Sequence, residues 1–84
     1  MSQNKLNDKV TIIGGAGHIG LPLGLLFADK GIKVNLYDKN LYAIKKINNS
    51  ELPFIEENGI KLLKKNKKKI FATSNKNCIS NLIF

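Results

Sequence analysis

An α/β fold built on a parallel sheet is the fold class this 84-residue sequence predicts, and three observations predict it. The apolar run Val10-Thr11-Ile12-Ile13 passes straight into Gly14-Gly15-Ala16-Gly17-His18-Ile19-Gly20, a strand entering a glycine loop. Leu21, Leu23, Leu25, Leu26 and Phe27 follow as the apolar part of a helix, and Lys30-Gly31 supplies a cation and a C′ glycine where that helix should stop. Ile32-Lys33-Val34-Asn35-Leu36-Tyr37 then alternates as a second strand and ends on Asp38. Strand, helix and strand in this order form a βαβ unit, whose strands are parallel.

The first strand is expected over Lys9 to Gly14, buried on both faces because only Thr11 interrupts its apolar side chains, and therefore central in the sheet. Gly15, Gly17 and Gly20 satisfy G-x-G-x-x-G. The motif assigns the tight turn to Gly15, close backbone approach to a pyrophosphate to Gly17, and helix–strand packing to Gly20. A helix starting near His18 aims unpaired N–H groups and the positive end of its dipole at the loop, which suits a phosphate. Pro22, about one turn into that helix, is expected to remove a hydrogen bond and crowd the His18 carbonyl, leaving a slight irregularity. Gly24 stands four residues after Gly20 and reads either as a close approach of helix to sheet or as drift. Asp38 lies 18 positions after Gly20. That is close to the roughly 20-residue offset at which an acid accepts hydrogen bonds from an adenosine ribose, although an aspartate after a strand is also a common turn residue.

Beyond Asp38, Asn40 is an N-cap for a helix whose Leu41, Ile44 and Ile47 share one face. Asn48-Asn49-Ser50 ends it, and Pro53 enforces an extended approach to a second helix from Ile55 to Lys65, with Glu56-Glu57 in its first turn and Gly59 weakening it. Ile70 to Thr73 reads as strand three, Ser74 to Asn77 caps a brief helical crossover through Ile79, and Asn81 to Phe84 reads as strand four. The expected architecture is thus a Rossmann-type parallel sheet, incomplete, of about four strands in the order 3-2-1-4. Residues 1–8 form a disordered polar lead and 9–84 a partial dinucleotide-binding domain. Its last strand would be an open edge through which the chain could form a homo-oligomer.

Composition narrows the function. A formal charge of +8 favours anionic ligands without naming one, and 43% hydrophobic content suffices for one core. Cys78 is the only cysteine, so no internal disulfide forms and a reducing, cytoplasmic setting is expected. With Ile79 beside it, Cys78 reads as a small buried hydrophobe, not a nucleophile. The lead carries no signal-peptide core, and the longest apolar-rich stretch, Ile19 to Ala28, is far below the roughly 20 residues a membrane span needs. No metal site is expected. The basic run from Lys61 to Lys69 lacks the interleaved aromatics that stack on bases and reads as a solvated helix end, which argues against nucleic acid. His18, the only histidine, reads as a neighbour of the ligand; proton transfer is the alternative role.

The loop through Leu21-Pro22-Leu23-Gly24, then Tyr37-Asp38-Lys39-Asn40, Ile47-Asn48, Leu52-Pro53-Phe54-Ile55-Glu56-Glu57, Leu62-Leu63 and Ala72-Thr73-Ser74, closely resemble the N-terminal NAD-binding domain of the UDP-glucose/GDP-mannose dehydrogenase family. The likeness implies that NAD is the cofactor and that the whole enzyme oxidises the C6 hydroxyl of a nucleotide sugar to a carboxylate. It places Gly15, Ala16, Gly17, His18 and Ile19 along the NAD pyrophosphate, with Gly20 packing the helix. It gives the adenosine ribose to Asp38, whose charge opposes the extra phosphate of NADP. Lys39 would sit at the rim of that pocket and Thr73 at the ribose side, though Ser74-Asn75 stand where the family usually carries an acid. Glu56 and Glu57 match acids of the family loop and receive no cofactor contact. The family's catalytic cysteine, lysine and asparagine and its sugar-nucleotide domain lie further along than this sequence runs, so no catalytic residue is named and a UDP-sugar partner requires a downstream half. Three readings remain: a cofactor-binding piece of such a dehydrogenase, a stand-alone nucleotide-binding module, or a basic interaction protein using the βαβ unit as scaffold.

Overall fold

The computed structural model describes residues 9–78 and 82–83, with side chains for 9–77. The polar lead, the end of the expected crossover, the outer residues of the expected fourth strand and the Cys78 side chain lie outside the described residues. Of three parallel strands, β1 (Lys9–Ile13) and β2 (Lys33–Tyr37) are joined through α1 (Gly20–Asp29), and β2 and β3 (Ile70–Thr73) through α2 (Leu41–Asn48) and α3 (Gly59–Lys65). Val10 lies opposite Val34 and Val34 opposite Ile70, so that Ile13, Tyr37 and Thr73 finish in one row at the carboxyl edge of the sheet. A two-residue β4 (Leu82–Ile83) pairs with β1 on its other side, in the order β3-β2-β1-β4.

The core forms where α1 lies across the sheet. Val10, Ile12, Leu21, Leu25, Val34, Leu36, Ile47 and Leu63 are all buried. Gly24 makes the approach possible: a Cβ there would sit 2.6 Å from Leu36 Cδ2 and 3.2 Å from Ile12 Cδ1. Close packing is therefore the reading of Gly24 that holds. At the far end of α1, Gly31 takes a φ of +94° and the Gly31 and Ile32 N–H groups donate to the Ala28 and Phe27 carbonyls, a Schellman closure on the expected C′ glycine.

α2 starts as expected, with Asn40 Oδ1 accepting from the Ala43 N–H at 3.1 Å. It closes with the same motif as α1, but on Ser50, whose φ is 62°. The Ser50 and Glu51 N–H groups donate to the Ile47 and Lys46 carbonyls at 2.9 and 2.8 Å. A left-handed non-glycine residue costs about 1–2 kcal/mol. Ser50→Gly should therefore stabilise the fold by about 1 kcal/mol in urea unfolding, raising the melting midpoint by roughly 4–8 °C.

The third helix begins at Gly59, four residues later than the sequence suggests, because Asn58 is left-handed with a φ of 65° and breaks helical continuity. Glu56 and Glu57 therefore precede α3 instead of filling its first turn. Lys67–Lys69 form a 3₁₀ turn where a plain loop was expected, and the crossover after β3 is likewise 3₁₀, over Lys76–Cys78. Between α3 and the first of these turns, buried Asn66 donates from Nδ2 to the Leu62 carbonyl at 3.1 Å and to Asp29 Oδ1 at 3.0 Å, while Lys65 Nζ lies 3.1 Å from the same oxygen. The Asn66 hydrogen bond, and after it Lys65, hold the Asp29 carboxyl below its ordinary 3.8. A depressed carboxyl contributes stability above its unfolded value and loses it as pH falls through the folded one. Asp29→Ala should accordingly weaken the fold at neutral pH, and the difference from the unaltered chain should narrow as acid unfolding is followed below pH 3.8.

Among the described residues, no helix is long and apolar enough to cross a membrane, and no three metal-ligating side chains gather.

Candidate functional site

The chain turns as soon as β1 ends. Gly14 takes a φ of +76°, and the N–H groups of Gly14 and Gly15 both donate to the Tyr37 carbonyl at 2.9 Å, tying the loop to the end of β2. The tight turn thus belongs to Gly14, not to Gly15 as the motif suggests. Gly15 answers a packing demand instead, since a Cβ there would lie 2.7 Å from Leu36 Cβ. With two glycines in succession, the motif's spacing does not say which one reverses the chain.

α1 starts at Gly20 with Ile19 as its cap residue, two residues later than expected. Pro22 is then the third helical residue, and its ring removes the bond that an N–H there would give the His18 carbonyl, as expected. The Leu21 and Leu23 N–H groups bond to the Gly17 and Ile19 carbonyls at 3.0 and 3.2 Å on either side of that gap, so the helix runs on past it. Gly20 rests on the loop: a Cβ there would overlap the Gly14 carbonyl oxygen and lie 3.1 Å from Gly15 Cα.

The loop amides divide into two groups. Gly14, Gly15, Ala16 and Gly17 donate internally, to Tyr37 O, Tyr37 O, Asp38 Oδ2 and Gly14 O. The N–H groups of His18, Ile19 and Gly20 have no acceptor among the described residues. Three consecutive free donors at the start of a ten-residue helix suit an anion by hydrogen bonding and by dipole. They border a cavity of about 430 Å³ that Gly17 also lines, with Ile13 and Leu23 as apolar wall. A Cβ on Gly17 would meet only the Gly14 oxygen, at 3.3 Å. Of the loop glycines, Gly17 therefore has the weakest reason within the fold to lack a side chain, as a residue closely approached by a ligand would.

Asp38 faces the loop. Its Oδ2 accepts from the Ala16 N–H and its Oδ1 from the Asn40 N–H, each at 3.0 Å. A carboxylate offers about four lone-pair directions, so two remain for further donors such as the vicinal hydroxyls of a ribose. Asp38 and Lys39 line a second hollow of about 230 Å³, and Ile13 and Gly14 line both hollows. The structure thus brings Gly17, His18, Ile19, Gly20, Asp38 and Lys39 around two adjoining spaces, with Gly15 and Ala16 buried beneath. Thr73 sits under Asp38, its carbonyl accepting the Asp38 N–H at 3.2 Å and its Oγ1 accepting the Asn75 N–H at 3.0 Å, and lines neither hollow. One contact had no signal in the sequence: the His18 ring stacks on Phe54 with centroids 4.1 Å apart and planes at 21°.

This donor set fits a dinucleotide, with free amides for a diphosphate and an anchored carboxylate for a sugar diol. Residues 8–82 match the family described as the UDP-glucose/GDP-mannose dehydrogenase family, NAD binding domain. Among solved structures, the chain is similar to the UDP-N-acetyl-mannosamine dehydrogenase from Staphylococcus aureus, at 27% identity and a TM-score of 0.76 over 81% of this chain and 17% of that one. It is similar also to a UDP-D-ManNAc dehydrogenase from Pyrococcus horikoshii, at 29% identity and a TM-score of 0.81 over 90% and 19% of the two chains. A GDP-mannose dehydrogenase from Pseudomonas aeruginosa shares the fold, at 22% identity and a TM-score of 0.74 over 79% and 15%. The chain spans 15–19% of the length of these three proteins. Comparison with functionally curated proteins returned no match. With its glycine loop and nearly all of its length inside the match, the chain belongs to the UDP-glucose/GDP-mannose dehydrogenase family, as NAD-binding domain sequence.

Proposed function

We propose that residues 9–84 form the cofactor-binding part of a nucleotide-sugar 6-dehydrogenase, whose oxidation of a UDP-sugar C6 hydroxyl to the uronate requires a catalytic half outside this sequence. The observation that carries this reading is the run of three acceptor-free amides, His18 to Gly20, beside a carboxylate locked to the same loop. In this assignment the three amides hold the diphosphate, Gly17 lets it approach, and Gly15 and Ala16 support the loop from below. Asp38 accepts the adenosine ribose hydroxyls, Lys39 lies at the rim, and Thr73 steadies Asp38 from β3. When bound, NAD supplies the ring that accepts hydride; this chain's residues bind and orient it. Leu82–Ile83 would open a fuller fourth strand that the rest of the domain extends. A cytoplasmic setting follows from the same reading.

Calorimetric titration with NAD and NADP tests the assignment. NAD is expected to bind more tightly, because a 2′-phosphate would meet the Asp38 carboxylate. Equal affinities, or no binding of either, would overturn it.

A further inference from the structure

We propose that Phe54 is a positioning residue for the diphosphate-binding amides, acting through its stack on His18. The proposal rests on the reading of the glycine loop as the NAD site. His18 carries the first of the free N–H groups, and its carbonyl is equally unengaged, because the residue four positions on is Pro22 and has no N–H to give it. The peptide plane that His18 shares with Gly17 is held, because the Gly17 carbonyl accepts from the Leu21 N–H at 3.0 Å, but the plane formed by the His18 carbonyl and the Ile19 N–H makes no hydrogen bond among the described residues. Nor does a capping side chain fix the entry to α1, since Ile19 offers none. The ring stack at 4.1 Å restrains the His18 side chain next to that unengaged plane.

The segment that carries Phe54 is itself held at both ends. Left-handed Ser50 and Asn58 bracket it. The Glu51 N–H donates to the Lys46 carbonyl at 2.8 Å, and the Gly59 N–H donates to the Glu56 carbonyl at 3.0 Å. Phe54 is half-buried against the core and does not line the cavity that His18 borders, so any effect on a ligand there passes through His18. A flat ring offered from a braced segment limits the rotamers of His18, and through them the orientation of the adjoining plane that carries the Ile19 N–H.

The test uses Phe54→Leu, which keeps apolar bulk and loses the flat face, and Phe54→Tyr, which restores it. Without nucleotide, the ¹⁵N order parameter of the Ile19 amide should fall in Phe54→Leu from the rigid value of about 0.85 toward about 0.6, and recover in Phe54→Tyr, while that of the His18 amide changes less. NAD should bind about 3- to 10-fold more weakly to Phe54→Leu, the equivalent of one aromatic pair, while adenosine, which lacks the diphosphate, binds unchanged. In a His18→Ala background, Phe54→Leu should add nothing further. Unchanged order parameters in Phe54→Leu would overturn the proposal, as would equal weakening of NAD and adenosine or an additive effect in the His18→Ala background. Failure of the unaltered chain to bind NAD would overturn the cofactor reading and with it the role toward a diphosphate, and is told apart from failure of the Phe54 contact because the order parameters report that contact without nucleotide.

Discussion

Gly20→Ala is expected to be the most damaging single-atom addition in this chain, lowering stability by about 3 kcal/mol, at the top of the range for overpacking. The added Cβ would overlap the Gly14 carbonyl oxygen and press on Gly15 Cα, and both neighbours are backbone. No rotamer relieves such a contact. The start of α1 would have to move off the loop, stretching the Gly17 N–H bond to the Gly14 carbonyl and the Leu21 N–H bond to the Gly17 carbonyl, both 3.0 Å long. A domain of this size buries only about 60–70% of its unfolded surface and has little margin to absorb the loss. Urea unfolding should show a clear drop in midpoint, and thermal unfolding a fall of roughly 12–24 °C. Gly17→Ala provides the contrast, because its Cβ has one neighbour at 3.3 Å. It should leave the fold nearly intact and still weaken NAD binding. If Gly20→Ala kept the wild-type midpoint, the close seat of α1 on the loop would be wrong.

What could be read beforehand divides along sequence separation. β1, β2 and β3, the Asn40 cap and the Gly31 closure are set by side chains within a few positions of one another, where pattern and capping chemistry are informative. The start of α1 falls later than its sequence suggests because neither His18 nor Ile19 carries a capping oxygen, so the boundary depends on how Gly20 seats against Gly14. α3 was lengthened because Ile55, Glu56 and Glu57 look helical, and only the backbone shows Asn58 in the left-handed region. At the site, Asp38 was legible from its offset, whereas its grip on the Ala16 N–H spans 22 residues and has no local signature. The division of loop amides into engaged and free, and the meeting of His18 with Phe54, likewise arise from tertiary geometry.

Asp38→Asn should collapse the preference for NAD over NADP by about 100-fold, half of that on the logarithmic scale from each cofactor. The carboxylate now accepts from two backbone N–H groups, Ala16 and Asn40. An amide offers one oxygen and one NH₂, so one of these donors must lose its acceptor. Ala16 is buried and Asn40 is exposed, so the amide oxygen should turn to Ala16 and leave the Asn40 N–H to water. The loop should then persist at a stability loss of about 1 kcal/mol. Ligand binding changes more. A hydrogen bond to a charged group is worth about 1.5–3 kcal/mol against about 0.5–1.5 for a neutral one, so NAD should weaken about tenfold. NADP gains in the opposite direction. Two unit charges about 4 Å apart repel by about 4 kcal/mol near a protein surface, and salt screening reduces the relief on neutralising Asp38 to about a further tenfold. Titrating both cofactors into the variant at low and moderate salt checks both halves, since the NADP gain should shrink with added salt and the NAD loss should not. A ratio unchanged by the substitution would mean that the ribose does not meet Asp38, leaving that carboxylate a brace for the glycine loop alone.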